Sequence, residues 1–366
     1  NLRPLDPQSS ALPAAPHPDI FNANYNNIII FNLQVVFIFN YSYFLCLFII
    51  YMVIFRKGEV YMKTMKKPLK IILIILALIL SLIICWGSLM FWYYPHYKNN
   101  KVEIKINENL SENEVRIMSY NLRCLNPTDL GKKTWFYRAD LIIKSIEKEQ
   151  PGIIGFQEAT KWQYSYLCDT MKGYDSIITY RDDVFNSEGC PVFFCTDLYT
   201  LINKGSFWLS ETPEEMSKGW DAACYRICSY AILKDKATEK EFVVFNTHLD
   251  HISDTARING IQVVLDKIAE FGSLPAVLIG DLNAEEDSET YRSATANFLD
   301  TKYQTENTMI SCTYQNWGTE LDNNCIDYVM ISKTGFKVNS YKVITETYNG
   351  VYTSDHFPLS VSLSFE

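Results

Sequence analysis

Several things are scarce in this sequence. Only five of its 366 residues are histidine, so any imidazole chemistry must rest on very few positions. Basic residues are outnumbered, 33 Lys and Arg against 42 Asp and Glu. That argues against a protein living by non-specific attraction to nucleic acid, where a basic face gathers the phosphates. A nuclease stays possible, because bound cations reverse the local field. The spacings Cys190-x4-Cys195 and Cys224-x3-Cys228 lack the paired Cys-x2-Cys pattern of a zinc site. There is no internal repeat and no low-complexity tract. Acids are almost missing from the first hundred residues, which hold only Asp6, Asp19 and Glu59. From Lys101 onward, 39 acids meet 25 bases. The chain therefore has two unlike parts, and the second, about 266 residues, suffices for one well-buried domain.

The first part does have uncharged length. Ile71 to Tyr94 is 24 residues without a charge, long enough to span a bilayer. Lys63, Lys66, Lys67 and Lys70 precede it, and Trp86, Trp92, Tyr93 and Tyr94 gather towards its far end like an aromatic belt. The positive-inside rule puts the N-terminal side in the cytoplasm and the acidic domain outside. Residues 62–70 then read as a basic cytoplasmic stub, 71–94 as a transmembrane anchor, 95–114 as a polar linker and 115–366 as the functional domain. The expected location is a bacterial cell membrane, single-pass, with the domain extracytoplasmic; cleavage of the segment as a signal peptide would make the domain secreted. Within residues 1–61, Ile28–Phe55 is apolar enough to span but carries Asn32, Gln34, Asn40 and Ser42. The preferred hypothesis is that everything before Met62 is translated non-coding sequence. Lys57–Met62 can be encoded AAA GGG GAG GTA TAT ATG, a purine-rich ribosome-binding string just before a start codon. An intact mass that retains Asn1–Tyr61 in the natural protein would refute it. Eight cysteines fall in the acidic domain; their even number permits disulfides, and buried free thiols serve a domain of this size equally well.

Helices are predicted over Thr134–Glu149, Thr160–Met171 and Ser253–Phe271, the last with Ser253 as N-cap. Cys228–Leu233 and Glu241–Asn246 flank a charged turn and predict a hairpin. Other strands are expected near Arg116–Asn121, Ile153–Phe156, Ser176–Tyr180, Val192–Cys195, Tyr199–Asn203, Ala276–Ile279, Cys325–Ile331, Phe336–Thr345 and Leu359–Phe365. Many strands with a few interspersed helices predict an α+β fold, a two-sheet β-sandwich flanked by helices and preceded by the transmembrane helix.

Five of the apolar runs adjoin residues that bind metal or move protons. One ends at Asn121, one at Gln157-Glu158, one at Asn246-Thr247-His248 and one at Gly280-Asp281-Leu282-Asn283; the final strand follows Ser354-Asp355-His356. Strand ends let a rigid sheet present such groups to a cleft. Asp281 and Asn283 lie two residues apart, so an extended backbone points both the same way, and their oxygens suit a hard cation or a phosphate-bound water. Glu158 follows a buried run and needs a cation or several donors. His356 needs an orienting carboxylate, and Asp327, a charge inside an apolar strand, is a candidate. Arg226 precedes a strand and offers an anion contact.

Taken in order, Met118–Arg123, Gly155–Glu158, Asn246–Leu249, Gly280–Asn283, Ile326–Tyr328 and Ser354–Pro358 resemble the endonuclease/exonuclease/phosphatase superfamily, the deoxyribonuclease I-like fold. The resemblance covers roughly Val115 to Glu366. It implies Glu158 as principal Mg²⁺ ligand with Asn121 beside it, Mn²⁺ being a substitute, and Asp355 as a further ligand. It implies Asp281 and Asn283 positioning water and phosphate, with Asp281 also near the metal. His356, oriented by Asp327, would act as general base or stabilise the phosphorane; His248 and Arg226 would contact the phosphoryl group. Some nuclease members carry Asp two residues after the first Asn; Arg123 stands there, which weakens a second metal ligand. The expected activity is Mg²⁺-dependent hydrolysis of a phosphodiester or phosphomonoester by in-line attack of water. The alternatives are a nuclease on DNA or RNA, a sphingomyelinase-like head-group hydrolase, and a non-catalytic binding protein. The expected partners are a phosphoester (nucleic acid, phospholipid or small phosphate ester) and the membrane through the N-terminal helix, with no protein partner evident. The choice among substrates falls to the loops, above all Ser206–Asp221, whose Trp208 and Trp220 are placed either to form a rim over the site or to pack against the sheet.

Overall fold

The computed structural model describes residues 66–104, 114–306, 308–309, 311–321 and 325–366. Two compact units divide the chain, one ending at Trp92 and one spanning Tyr93–Glu366. In the first, helix α1 (Lys67–Met90) begins with a proline in its opening turn, where the missing N–H costs nothing. An 18-residue window of it has a mean hydropathy of 2.9, and it is long enough to cross a membrane; 24 residues rise about 36 Å. Residues 1–61, and the basic stub up to residue 65, lie outside the described residues.

The second unit starts earlier than the sequence suggests. Helix α2 (Tyr94–Asn99) falls in the stretch expected to be linker. Tyr94 and Tyr97 meet Phe136 edge-on with ring centroids 5.4 and 5.5 Å away, and Tyr93 meets Tyr137 at 4.8 Å. Tyr93 and Tyr94, expected to be part of an aromatic belt, instead pack against the globular unit. Aromatic contact outweighs the polar average of the stretch, which periodicity does not reveal.

The elements that follow are β1 (Val115–Asn121), α3 (Trp135–Glu149), β2 (Ile153–Gln157), β3 (Ala159–Thr160), α4 (Lys161–Thr170), β4 (Tyr174–Ile177), β5 (Glu188–Gly189), β6 (Val192–Cys195), β7 (Tyr199–Trp208), β8 (Ile227–Asp235) and β9 (Glu241–His248). Then come α5 (Asp254–Ala269), β10 (Ala276–Asp281), α6 (Glu289–Asn297), β11 (Phe298–Asp300), β12 (Thr308–Met309), β13 (Asp327–Ser332), β14 (Phe336–Val343) and β15 (Leu359–Phe365). A seven-stranded sheet has the order β12-β14-β15-β1-β2-β6-β4, a six-stranded sheet the order β11-β13-β10-β9-β8-β7, and β3 pairs with β5. The expected α+β sandwich is present, with β8 and β9 as the antiparallel hairpin. Ser253 caps α5, its Oγ accepting the Ala256 N–H at 3.0 Å.

Why the strands read as unbroken apolar runs is now plain. Ile117, Ile153, Val244, Val277, Ile279 and Val329 point between the sheets. Their neighbours Met118 and Ile154 face outward onto α3 and α4, while Val243, Phe245, Leu278 and Met330 face α5 and α6. Both faces of each central strand are buried, so alternation disappears. The four layers, helix, sheet, sheet and helix, are tied at one end by Asn246. Its Nδ2 donates to Phe156 O (2.7 Å) and Pro191 O (2.8 Å), and its Oδ1 accepts from Gln157 Nε2 (2.8 Å). The sheets come close here: a Cβ on Gly155 would lie 2.8 Å from Ile279 Cγ2. All nine described cysteines are free thiols.

Candidate active site

Strand register brings the polar ends together. β1 and β2 run parallel with Asn121 opposite Gln157. β9 and β10 run parallel with His248 opposite Asp281, and antiparallel β13 sets Asp327 opposite Asp281 on the other side. The two parallel pairs therefore expose their C-terminal ends at one end of the sandwich. Arg138 supports that end from below. Fully buried, it donates to Leu122 O (3.0 Å) and Thr353 O (2.5 Å), joining the segment after β1 to the segment before Asp355.

A cavity of about 540 Å³ opens there, lined among others by Glu158, His248, Asp281, Asn283, Asp355 and His356. Asn121 Nδ2 donates to Asp281 Oδ2 at 2.9 Å and to Glu158 Oε1 at 3.3 Å, so the amide nitrogen faces the carboxylates while the Arg123 N–H binds Oδ1. Glu158, at a left-handed φ of 58°, accepts the Cys124 N–H on Oε2 at 2.8 Å. Among the described residues, no Lys, Arg or His nitrogen lies within 4.0 Å of its carboxylate. Burial works against its charge, but the Cys124 amide, His356 and Arg123 together hold Glu158 below its usual range. A half-buried carboxylate kept ionised at a cavity wall without an ion-pair partner suits a cation.

His356 Nδ1 lies 2.8 Å from Asp327 Oδ2, and its Nε2 lies 3.8 Å from Asp281 Oδ2. Burial opposes protonation, yet Asp327 and then Asp281 overcome it and raise His356 to about 10. Asp281 is pushed up to about 7, by burial first and by Asp327 next. His248 is held well below the ordinary range by burial and by Arg226, and its Nε2 meets Asn283 Nδ2 at 2.9 Å. The amide can only donate, so that nitrogen accepts and His248 is neutral. The two histidines are thus set apart in charge. Asp281, Asp327 and His356 also form a compact buried trio within 4.8 Å that could hold an ion, although His356 Nδ1 and Asp327 Oδ2 already satisfy each other there at 2.8 Å. The acid-rich position beside Glu158 accommodates one better.

Arg123 changes the fourth carboxylate. At φ 56°, it pairs with Asp129 at 3.0 and 3.3 Å, and its Nη1 stands 3.4 Å from Asp355 Oδ2. Asp355 therefore already faces a cation, although burial and then Glu158 raise its pKa.

All nine residues singled out from sequence lie at this end of the sandwich, Asn121 and Asp327 just behind the cavity lining. Several cavity residues were not singled out, Arg181, Glu188 and His251 among them. Arg181 binds Glu188 through both Nη atoms, at 2.8 and 2.9 Å. Glu188, paired with Thr160 next to Glu158, is pushed up to about 7 by burial and by Glu158. His251 Nδ1 meets Arg226 Nη2 at 2.9 Å. Glu188 stands four residues before the apolar strand β6, and that adjacency was the available signal. The Ser206–Asp221 stretch does not form a simple rim: Phe207 and Leu209 are buried against the six-stranded sheet, and Trp208 Nε1 donates to Arg181 O at 2.8 Å.

Residues 118–356 match the model of the Endonuclease/Exonuclease/phosphatase family. The chain belongs to that family. A mannosyl-6-phosphatase from Bacteroides thetaiotaomicron is 34% identical, with TM-score 0.64 over 69% of this chain and 100% of that one. A family member from Bacteroides vulgatus is 32% identical, with TM-score 0.66 over 69% and 99%. Rat nocturnin is 23% identical over 318 residues, 74% of this chain and 70% of its own. Enzymes of this family hydrolyse phosphoesters and are generally dependent on divalent metal.

Proposed function

We propose that this protein is a Mg²⁺-dependent phosphoesterase, held by α1 at a bacterial membrane with its catalytic unit outside the cytoplasm. The observation that carries the enzymatic reading is the convergence, on one cavity, of the Glu158 carboxylate without a cationic partner and the His356–Asp327 pair. Glu158 would hold the cation with Asn121 and Asp281 beside it and Asp355 on the flank. A bound Mg²⁺ or Mn²⁺ supplies charge neutralisation at the phosphoryl oxygens.

The remaining chemistry belongs to side chains. Asn283 orients the phosphate, and Asp281 takes the proton from the attacking water. The water oxygen bonds to phosphorus, the ester P–O bond breaks, the leaving alkoxide takes a proton from solvent water, and Asp281 returns its proton to solvent. His356, kept cationic by Asp327, stabilises the crowded phosphorane; neutral His248 and Arg226 contact its oxygens. The acidic surface and the similarity to a mannosyl-6-phosphatase favour a small phosphate ester over a long nucleic acid. Full-length protein in detergent, given Mg²⁺ and a panel of sugar phosphates, DNA, RNA and sphingomyelin, tests the reading. Hydrolysis of a phosphate ester that stops with chelator and returns with Mg²⁺ or Mn²⁺ is expected. Metal binding without turnover of any phosphoester would make the chain a binding protein on this fold.

A further inference from the structure

The cavity has a second wall, made of cations, that phosphoester hydrolysis alone does not require. Arg226 is 5% exposed, and its Nε and Nη1 have no hydrogen-bond partner; neither does Arg181 Nε. The Arg226 Nε does stand 3.6 Å from Asp250 Oδ2 and the Arg181 Nε 3.8 Å from Asp182 Oδ2, ion pairs beyond hydrogen-bonding length. A side void of about 10 Å³ between these arginines, Glu188 and His248 has room for about one water. Three buried donors thus exceed what solvent can satisfy there, and unmet donors of this kind are costly. Both side chains line the main cavity.

We propose that Arg181 and Arg226 form a clamp for the terminal oxygens of a phosphate monoester, and that Arg181 makes the site select monoesters over diesters. This deepens the phosphoesterase reading and rests on it. A monoester carries a charge of about −1.5 to −2 at neutral pH and three terminal oxygens; a diester carries one charge and two such oxygens. Guanidinium forks match that oxygen set. Arg181 is held in place for the task. Its two Nη atoms are anchored on Glu188, its own N–H donates to Glu188 O at 2.9 Å, and Trp208 fixes its carbonyl. Its Nε makes no hydrogen bond and stands 3.8 Å from Asp182 Oδ2; that N–H is what remains for a ligand, and a second alcohol on phosphorus would leave it without a hydrogen-bond acceptor.

The test compares p-nitrophenyl phosphate with methyl p-nitrophenyl phosphate, which share a leaving group, using the full chain in detergent with Mg²⁺. Wild type favours the monoester. Arg181→Gln lowers monoester kcat/KM by about 30-fold, chiefly through KM, and diester kcat/KM by less than about 3-fold. Because Arg181→Gln strands Glu188, the double variant Arg181→Gln/Glu188→Gln is measured too and shows the same selective loss, whereas Glu188→Gln alone, which loosens the anchor but leaves the guanidinium, erodes the preference by much less than Arg181→Gln. Equal losses on both esters, a wild-type preference for the diester, or a Glu188→Gln effect equal to that of Arg181→Gln would each overturn the clamp. Calorimetry with inorganic phosphate separates the two readings. If neither ester turns over, the phosphoesterase reading fails, and weaker phosphate binding by Arg181→Gln still upholds the clamp, while unchanged binding overturns it.

Discussion

The two walls of the cavity are built in opposite ways. The carboxylate wall (Glu158, Asp281 and, behind it, Asp327) sits at or beside the ends of strands β2, β10 and β13, whose positions are set by ladder register. The cationic wall (Arg181, Arg226, His251) lies outside the named strands and helices, held by hydrogen bonds to Glu188 and Trp208 and by contact with Asp250. A sheet fixes where a metal and a water must be. On the proposed reading, loops select what is attached to the phosphorus, and they can change without disturbing the sheet.

That contrast makes separable demands on function. Glu158→Gln should be the most damaging change: about 10³-fold or more in kcat, by loss of the cavity-wall anion proposed to hold the cation, with near-UV circular dichroism unchanged. Retention of full activity would move the cation elsewhere. Arg226→Gln should lower kcat/KM by about 10²-fold, with the Mg²⁺ concentration for half-maximal activity unaltered. Asp355→Asn should do the reverse, raising that Mg²⁺ requirement by about 10-fold while KM moves little. If these two variants shifted the same parameter, the walls would not be functionally distinct.

Stability provides smaller effects. Asn246→Ala removes three hydrogen bonds and should cost about 2–3 kcal/mol, read as a lower midpoint in urea. The His356–Asp327 pair should add a pH signature. His356 is raised from the ordinary imidazole range to about 10, so its stabilisation is complete below about pH 6.5 and fades as pH rises through 10. The stability gap between wild type and Asp327→Asn should therefore narrow between pH 7.5 and 10; a constant gap would mean that His356 is not the group Asp327 stabilises.

Much of the carboxylate wall was legible in the sequence. Ile153–Phe156 and Ala276–Ile279 are apolar on both faces, so the polar residues ending them had to leave the core. Asp327 stood out as a charge within an apolar strand, and the structure sets it against His356. Arg181, Glu188 and His251 had no such background, because polar residues in a polar loop carry no periodicity. Helix α6 was missed for a similar reason: its buried face is little more than Thr290 and Ala294. The tyrosines from 93 to 97 misled differently, since an aromatic cluster after an apolar run reads the same whether it meets headgroups or a protein surface.

Asn246 has one more consequence. The seven-stranded sheet supplies Asn121 and the Gln157 end beside Glu158; the six-stranded sheet supplies Asp281 and Asp327. The proposed cation position is therefore a seam, and its width is the distance between two sheets pinned at Asn246 and Gly155. The site behaves as a gauge of that spacing. Any expansion of the sandwich too slight to expose its core would register first as lost affinity for the metal, before any spectroscopic sign of unfolding.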